Sequence, residues 1–178
     1  MTDNELIKVF WPILKTGLIN AGYTDVISKQ AYQPTQQGTD TPPTVYFYKV
    51  GDKRYGFLRR DSIWNTVDSV MEHIEEQWYE TVFQMSALVI QKPSNPSYTA
   101  SDLVNEAAAI MQSDSAREQL LLKEVGILRV TDVRNPYFTD DRDRFEASPS
   151  FDFILTHKQT RVSIDPVIES FEFNIKRV

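Results

Sequence analysis

The side chains in this sequence that could do chemistry are few and scattered. His73 stands beside Glu75 and Glu76, a spacing that could form an acid–base cluster. The same residues also read as part of a solvated acidic face, the commoner role of a charge run. His157 is the second of two histidines and has no His or Cys near it, so a zinc site is not expected. Asp141, Asp143 and Glu146 faintly resemble a calcium loop. The spacing is wrong and the required glycine is missing, so Asp140 to Arg144 reads as a charged loop tip. Ser148-Pro149-Ser150 is not a nucleophile elbow. With six glycines in the chain there is little to build a phosphate-cradling loop from. There are no cysteines, which removes disulfides and thiolate chemistry. Tyr46-Phe47-Tyr48 with Lys49, Lys53 and Arg54 could stack bases and meet phosphates. Alternate residues of a strand face opposite ways, however, so Phe47 must point away from both tyrosines. A core or interface strand is the better reading. No catalytic residue, cofactor or metal is expected.

The elements that must position these residues centre on the end of the chain. Phe151, Phe153 and Leu155 alternate with Asp152, Ile154 and Thr156. After a polar link through Gln159 and a turn at Asp165-Pro166, Val167, Phe171, Phe173 and Ile175 alternate with Ile168, Ser170, Glu172, Asn174 and Lys176. Period-two alternation predicts strands with one buried face, and the two runs are expected to pair antiparallel. At the other end, Thr2 to Glu5 is a capping box. Leu6, Phe10, Ile13, Leu14 and Leu18 recur at helical spacing, and Gly22 closes the helix. Pro12 is expected to bend or split it.

Between these ends, Val26 to Tyr32 reads as a short strand and 34–43 as a loop. Val45 to Val50 is a strand that turns at Gly51-Asp52 and returns through Arg54 to Leu58. Tyr79 to Ile90 is a long strand, stopped by Pro93 and Pro96. Thr99 caps a helix whose apolar stripe is Leu103, Val104, Ala107, Ala108 and Met111. A second capping box, Ser115 to Glu118, opens a short helix. Ile127 to Val133 is a strand and Asn135-Pro136-Tyr137 a turn. Helices interrupt the strands without alternating with them. The fold class is therefore α+β, a mainly antiparallel sheet with long β-hairpins packed by two to three helices. One domain is expected over 1–178, with flexible loops at 34–43 and 51–71.

Charge is uneven. Residues 45–60 hold Lys49, Lys53, Arg54, Arg59 and Arg60 against Asp52 alone, a net of +4. Residues 61–80 hold Asp61, Asp68, Glu72, Glu75, Glu76 and Glu80 with no cation, a net of −6. These are either two solvated faces or complementary patches that meet between copies. On the second reading the candidate subunit-interface residues are Lys49, Lys53, Arg54, Arg59, Arg60, Asp68, Glu72, Glu75 and Glu76.

Composition excludes some classes. At 178 residues, 41% hydrophobic and 25% charged, the chain can bury a core. A net charge of −6 speaks against a dedicated nucleic-acid binder, which needs clustered cations. Val9 to Leu14 is too short an apolar run to cross a bilayer, and a signal peptide is not expected. The chain reads as soluble and made in the cytoplasm, with no membrane partner.

Two segments carry a family resemblance. One runs from Ile27 through Ala31-Tyr32-Gln33-Pro34 to Pro42-Pro43-Thr44-Val45. The other is Ser115-Ala116-Arg117 to Leu120-Leu121-Leu122-Lys123-Glu124-Val125-Gly126-Ile127-Leu128-Arg129-Val130, with Arg134-Asn135-Pro136 after it. Together with the strand around Trp78 to Ala87 and with Phe171-Glu172-Phe173, they resemble the neck terminator family of tailed bacteriophages, related to tail terminator and tail completion proteins. The resemblance implies a virion protein, assembled in the host cytoplasm, that forms a homo-oligomeric ring, usually hexameric, at the head–tail junction. Such rings end the tail tube, meet the sheath in contractile tails and dock head-completion or connector proteins. DNA passes through the lumen without specific binding. The alternatives are another connector or baseplate protein, a small nucleic-acid-binding module using Tyr46, Tyr48, Arg54 and Arg59, and, least supported, an enzyme using His73 or His157.

Overall fold

A computed structural model describes residues 1–30, 42–89, 98–139, 145–147 and 149–165. The elements run α1 (Asp3–Asn20), β1 (Ile27–Gln30), β2 (Thr44–Asn65), β3 (Val70–Leu88), α2 (Ala100–Gln112), α3 (Asp114–Leu121), β4 (Gly126–Val130), β5 (Tyr137–Thr139), β6 (Phe145–Ala147) and β7 (Ser150–Asp165). The fold is α+β. Five strands form one sheet in the order β1-β2-β3-β7-β4, and β5 and β6 form a separate hairpin. All pairs are antiparallel except β1 with β2.

The helices cover one face of one end of this sheet. Thr2 caps α1, accepting from the Glu5 amide at 3.4 Å while the Glu5 carboxylate accepts from the Thr2 amide at 2.6 Å. At the far end Gly22, with φ +94°, donates to Ile19, and Tyr23 donates to Leu18, which satisfies two terminal carbonyls. Between the caps, Leu6, Phe10, Leu14 and Leu18 are buried. Phe10 meets Phe47, Phe83 and Phe153 edge-on, at centroid distances of 5.2, 5.0 and 5.2 Å. Each such contact adds about 0.5–1.5 kcal/mol to the burial of the rings. One aromatic from α1 thus binds the three central strands together. Helix α2 adds Leu103, Val104, Ala107 and Met111 to the same core. It approaches α1 so closely at Gly17 that a Cβ there would lie 2.5 Å from Ile110.

Beyond the helices, β2, β3 and β7 continue, among the described residues, as a three-stranded ribbon. In β3 the ribbon spans about 11 residues, Val70 to Glu80, or roughly 35 Å at strand rise. Its register is regular along β3–β7, from Met71↔Asp165 to Ser86↔Ser150. Along β2 it is broken twice, between Lys49 and Gly51 and between Tyr55 and Arg59. The strands join through a turn at residues 66–69, where Ser69 has φ +53°.

Several expectations need correcting. Gly51-Asp52 does not turn the chain: Gly51 sits beside a bulge in one long strand, and most of the expected loop at 51–71 is ribbon. The residues after His157 are not a polar link but eight rungs of β7, paired with β3 down to Asp165. Pro12 does not split α1, because it lies on the solvent face, where a missing N–H leaves nothing buried unpaired. The third helix starts two residues earlier than expected, capped not by Ser115 but by Ser113, whose hydroxyl accepts from Ala116 at 3.2 Å. The turn near Pro136 leads into the hairpin β5–β6. Most of the loop at 34–43, Pro93, Pro96, the tip Asp140 to Arg144 and the second terminal run from Val167 lie outside the described residues. Among the described residues no helix is long and apolar enough to cross a membrane.

Candidate functional site

The residues first considered for catalysis lie on the ribbon and at its root. His73 Nδ1 meets Ser62 Oγ at 2.8 Å, and Nε2 meets Asp165 Oδ2 at 3.1 Å. This Ser–His–Asp chain ties β2, β3 and β7 together across an open surface, with 39% of the His73 side chain exposed. Glu75 pairs with Arg60 at 3.2 Å on the same face. Glu76 points to the opposite face, because neighbours in a strand alternate. The expected acid–base cluster is therefore divided between two surfaces. The clefts of the molecule lie elsewhere, beside α3 and between α1 and α2.

His157 sits at the ribbon's root and is 4% exposed. Thr81 Oγ1 donates to Asp52 Oδ1 at 2.7 Å, so the 2.9 Å contact between Thr81 Oγ1 and His157 Nε2 must carry the imidazole proton. That leaves Nδ1 a buried acceptor without a partner. Burial, with the nearby Met1 ammonium, holds the imidazole below its usual pKa. Burial alone would raise Asp52, but the bonds from Lys49 and Thr81 hold its carboxyl below the usual range. Lys49 also reaches Asp3 of α1 at 2.6 Å. The Met1 ammonium donates to the Lys158 carbonyl at 2.7 Å. This network clamps the helical layer onto the ribbon where the helices end.

The basic and aromatic run does not form a base-stacking platform. Tyr46 is 1% exposed and Phe47 lies in the core. The Tyr48 hydroxyl donates to Gln84. Arg54 lies over the Tyr79 ring on the opposite face from both tyrosines, 5.8 Å from its centroid.

The nine candidate interface residues all fall on the β2–β3 hairpin, and their charges meet inside one chain. Lys53 faces Glu80 at 3.8 Å, Arg59 faces Glu76 at 3.5 Å, and Arg60 faces Glu75. Lys158 of β7 joins Glu76 at 2.7 Å. Glu72 and Asp68 both accept from Asn65, at 2.7 and 3.1 Å. The opposite charges of residues 45–60 and 61–80 are thus cross-strand partners. Most of the basic side chains are well exposed, so the pairs contribute little stability; they set register.

The sequence reading missed the ribbon's exposed apolar residues. Tyr55 and Trp78 lie opposite each other, with centroids 6.2 Å apart. Ile63 and Ile164 flank Glu72 on the same face. All four are exposed, as are Trp64 and Val162. At the second bulge three residues, 56–58, oppose Gln77 alone. The Gln77 amide donates to the Tyr55 carbonyl at 2.8 Å, replacing a ladder bond lost there. Gly56 takes φ +71° and Phe57 is 99% exposed. Polar residues in 157–165 and the turn-like Gly51 hid this surface, because both suppress the alternation by which strands are read. Among the described residues no cluster of three or more His, Asp or Glu side chains is placed to hold a metal ion.

A family model described as E217 gateway protein gp29 matches residues 5–165. No curated protein matches the chain. The matched family is a gateway family and does not specify the tail terminator expected from the sequence.

Proposed function

Because this chain belongs to the family of the E217 gateway protein gp29, we propose that it is a structural protein of a tailed bacteriophage, acting at the head–tail junction. The family match over residues 5–165 carries this reading. The resemblance to neck proteins supports it independently. On this reading the protein is a virion component with no catalytic role. Copies form a ring, hexameric by analogy with neck proteins, between head-completion or connector proteins and the tail tube, with DNA passing through the centre.

The geometry favours the ribbon as the contact surface between copies. Among the described residues, β2 beyond Tyr48 and β7 beyond His157 each have a neighbour on one side only. Exposed aromatic and branched side chains line the same stretch. Lys49, Lys53, Arg54, Arg59, Arg60, Asp68, Glu72, Glu75 and Glu76 then act as the frame that keeps the ribbon straight and in register. The apolar residues supply the contact area. This differs from a contact built by basic and acidic patches of different copies, since Lys53, Arg59 and Arg60 already pair with Glu80, Glu76 and Glu75 across the hairpin.

The test is the mass of the purified protein across a concentration series, followed by imaging of any large species. Rings with a central hole, recruited to the ends of tail tubes, are expected. A protein that neither self-associates nor joins tubes or connectors refutes the reading.

A further inference from the structure

We propose that Phe57 is a knob that inserts into the cleft between α3 and β4 of a second copy of this chain. The proposal rests on the ring reading above and assigns its contact. Four observations converge. Phe57 is 99% exposed at a bulge in β2, next to Gly56, which takes φ +71°, on a stretch of β2 that has β3 as its one neighbour among the described residues. A fully exposed phenylalanine held on paired strands is an anchor awaiting a pocket. On the opposite edge of the sheet lies a cleft of about 430 Å³. Leu121, Val125 and Ile127 give it apolar walls, and Leu121 is 71% exposed.

The charges also match. Of the cations that flank the knob, Lys53, Arg59 and Arg60 pair with acids of their own hairpin, whereas Arg54, which lies over Tyr79, has no acid partner among the described residues. Asp114 and Glu118 line the cleft, with Arg117 between them and 3.9 Å from Asp114. Knob and cleft stand at similar heights. Gly126 of the cleft is level with Thr156, Glu80 and Lys53 through the strand registers. The bulge opposes Gln77, three rungs away, or about 10 Å along the strand. A knob on one edge and its socket on the other, at nearly one height, is the arrangement that joins copies head-to-tail into a closed ring.

The absence of cysteine from the 178 residues makes a strict test possible. Chains carrying Phe57→Cys are mixed with chains carrying Leu121→Cys and oxidised. A cross-linked dimer is expected from the mixture and from neither variant alone, because a disulfide forms only when the Cβ atoms approach within about 4.5 Å. Pairing Phe57→Cys with Ile19→Cys, exposed at the end of α1, should give none. In parallel, Phe57→Ala should fold as stably as the parent, since Phe57 buries nothing in the monomer, yet weaken self-association at least about tenfold. Phe57→Trp should preserve association, and added salt should weaken it. Rings that form normally in Phe57→Ala and give no Phe57–Leu121 cross-link overturn this contact and leave the ring reading standing. A parent chain that stays monomeric at every concentration, alone and with tail tubes, overturns both.

Discussion

Replacing Thr81 by valine should destabilise the protein by about 1.5–4 kcal/mol, although valine nearly matches its shape. Thr81 is fully buried, and its hydroxyl stands between Asp52 and His157. Valine can neither donate to Asp52 nor accept from the imidazole N–H. The Asp52 side chain is 36% exposed and keeps Lys49, so water replaces the lost bond at a cost of about 0.5–1 kcal/mol. His157 has no such relief. It is 4% exposed and its other ring nitrogen is already unpartnered, so the stranded N–H costs about 1–3 kcal/mol. With an m-value of about 2 kcal/mol/M for a chain of this size, the urea midpoint should fall by about 1–2 M at an unchanged slope. Thr81→Ser keeps the hydroxyl and loses one methyl, so it should cost only about 0.5–1.5 kcal/mol. Equal losses for serine and valine, or a valine loss under about 1 kcal/mol, would refute the claim that this bridge clamps the ribbon's root.

His157 should make stability depend on pH. Its folded pKa lies below the ordinary 6.5, so the unfolded chain binds the proton more readily. Stability should be fully present above about pH 6.5 and fall as pH drops from there toward the folded pKa; His157→Leu should flatten that part of the curve in urea titrations at several pH values. Gly17→Val should destabilise by about 1–3 kcal/mol, because its Cβ would meet Ile110 at 2.5 Å, and Ile110→Val in the same chain should recover part of the thermal midpoint. Glu76→Gln should cost under about 1 kcal/mol despite losing both Arg59 and Lys158, with the difference vanishing at high salt.

The helical layer was legible in the sequence because its signals are local. Thr2 with Glu5, Thr99 with Asp102 and the stripe from Leu103 to Met111 each lie within a few residues of one another. The strands Phe151 to Leu155 and Tyr79 to Leu88 were legible because one face is buried and they alternate. The ribbon was not. Gly51-Asp52 reads equally as a turn or a bulge, and only the pairing partner decides which. That partner, Val82 with Thr81, lies some thirty residues away. Residues 158–165 mix polar and apolar types because this stretch lies beyond the helical layer, so burial left no imprint on their order. The charge reversal between 45–60 and 61–80 was visible. Its meaning changed once the turn moved to 66–69, since a hairpin folded there brings Lys53, Arg59 and Arg60 opposite glutamates. The candidate surface was thus found by charge and explained by register.

Among the described residues the ribbon has three strands, an odd number, and its middle strand runs against both outer ones. The exposed sides of β2 and β7 therefore run in one direction. Copies repeated by rotation about an axis along the ribbon must all point the same way. A particle built from them has two unlike ends, as an arrow does, and cannot be entered equivalently from both. Rotation alone fixes that direction; the odd strand count adds that the edge of β2 in one copy and the edge of β7 in the next would meet in parallel.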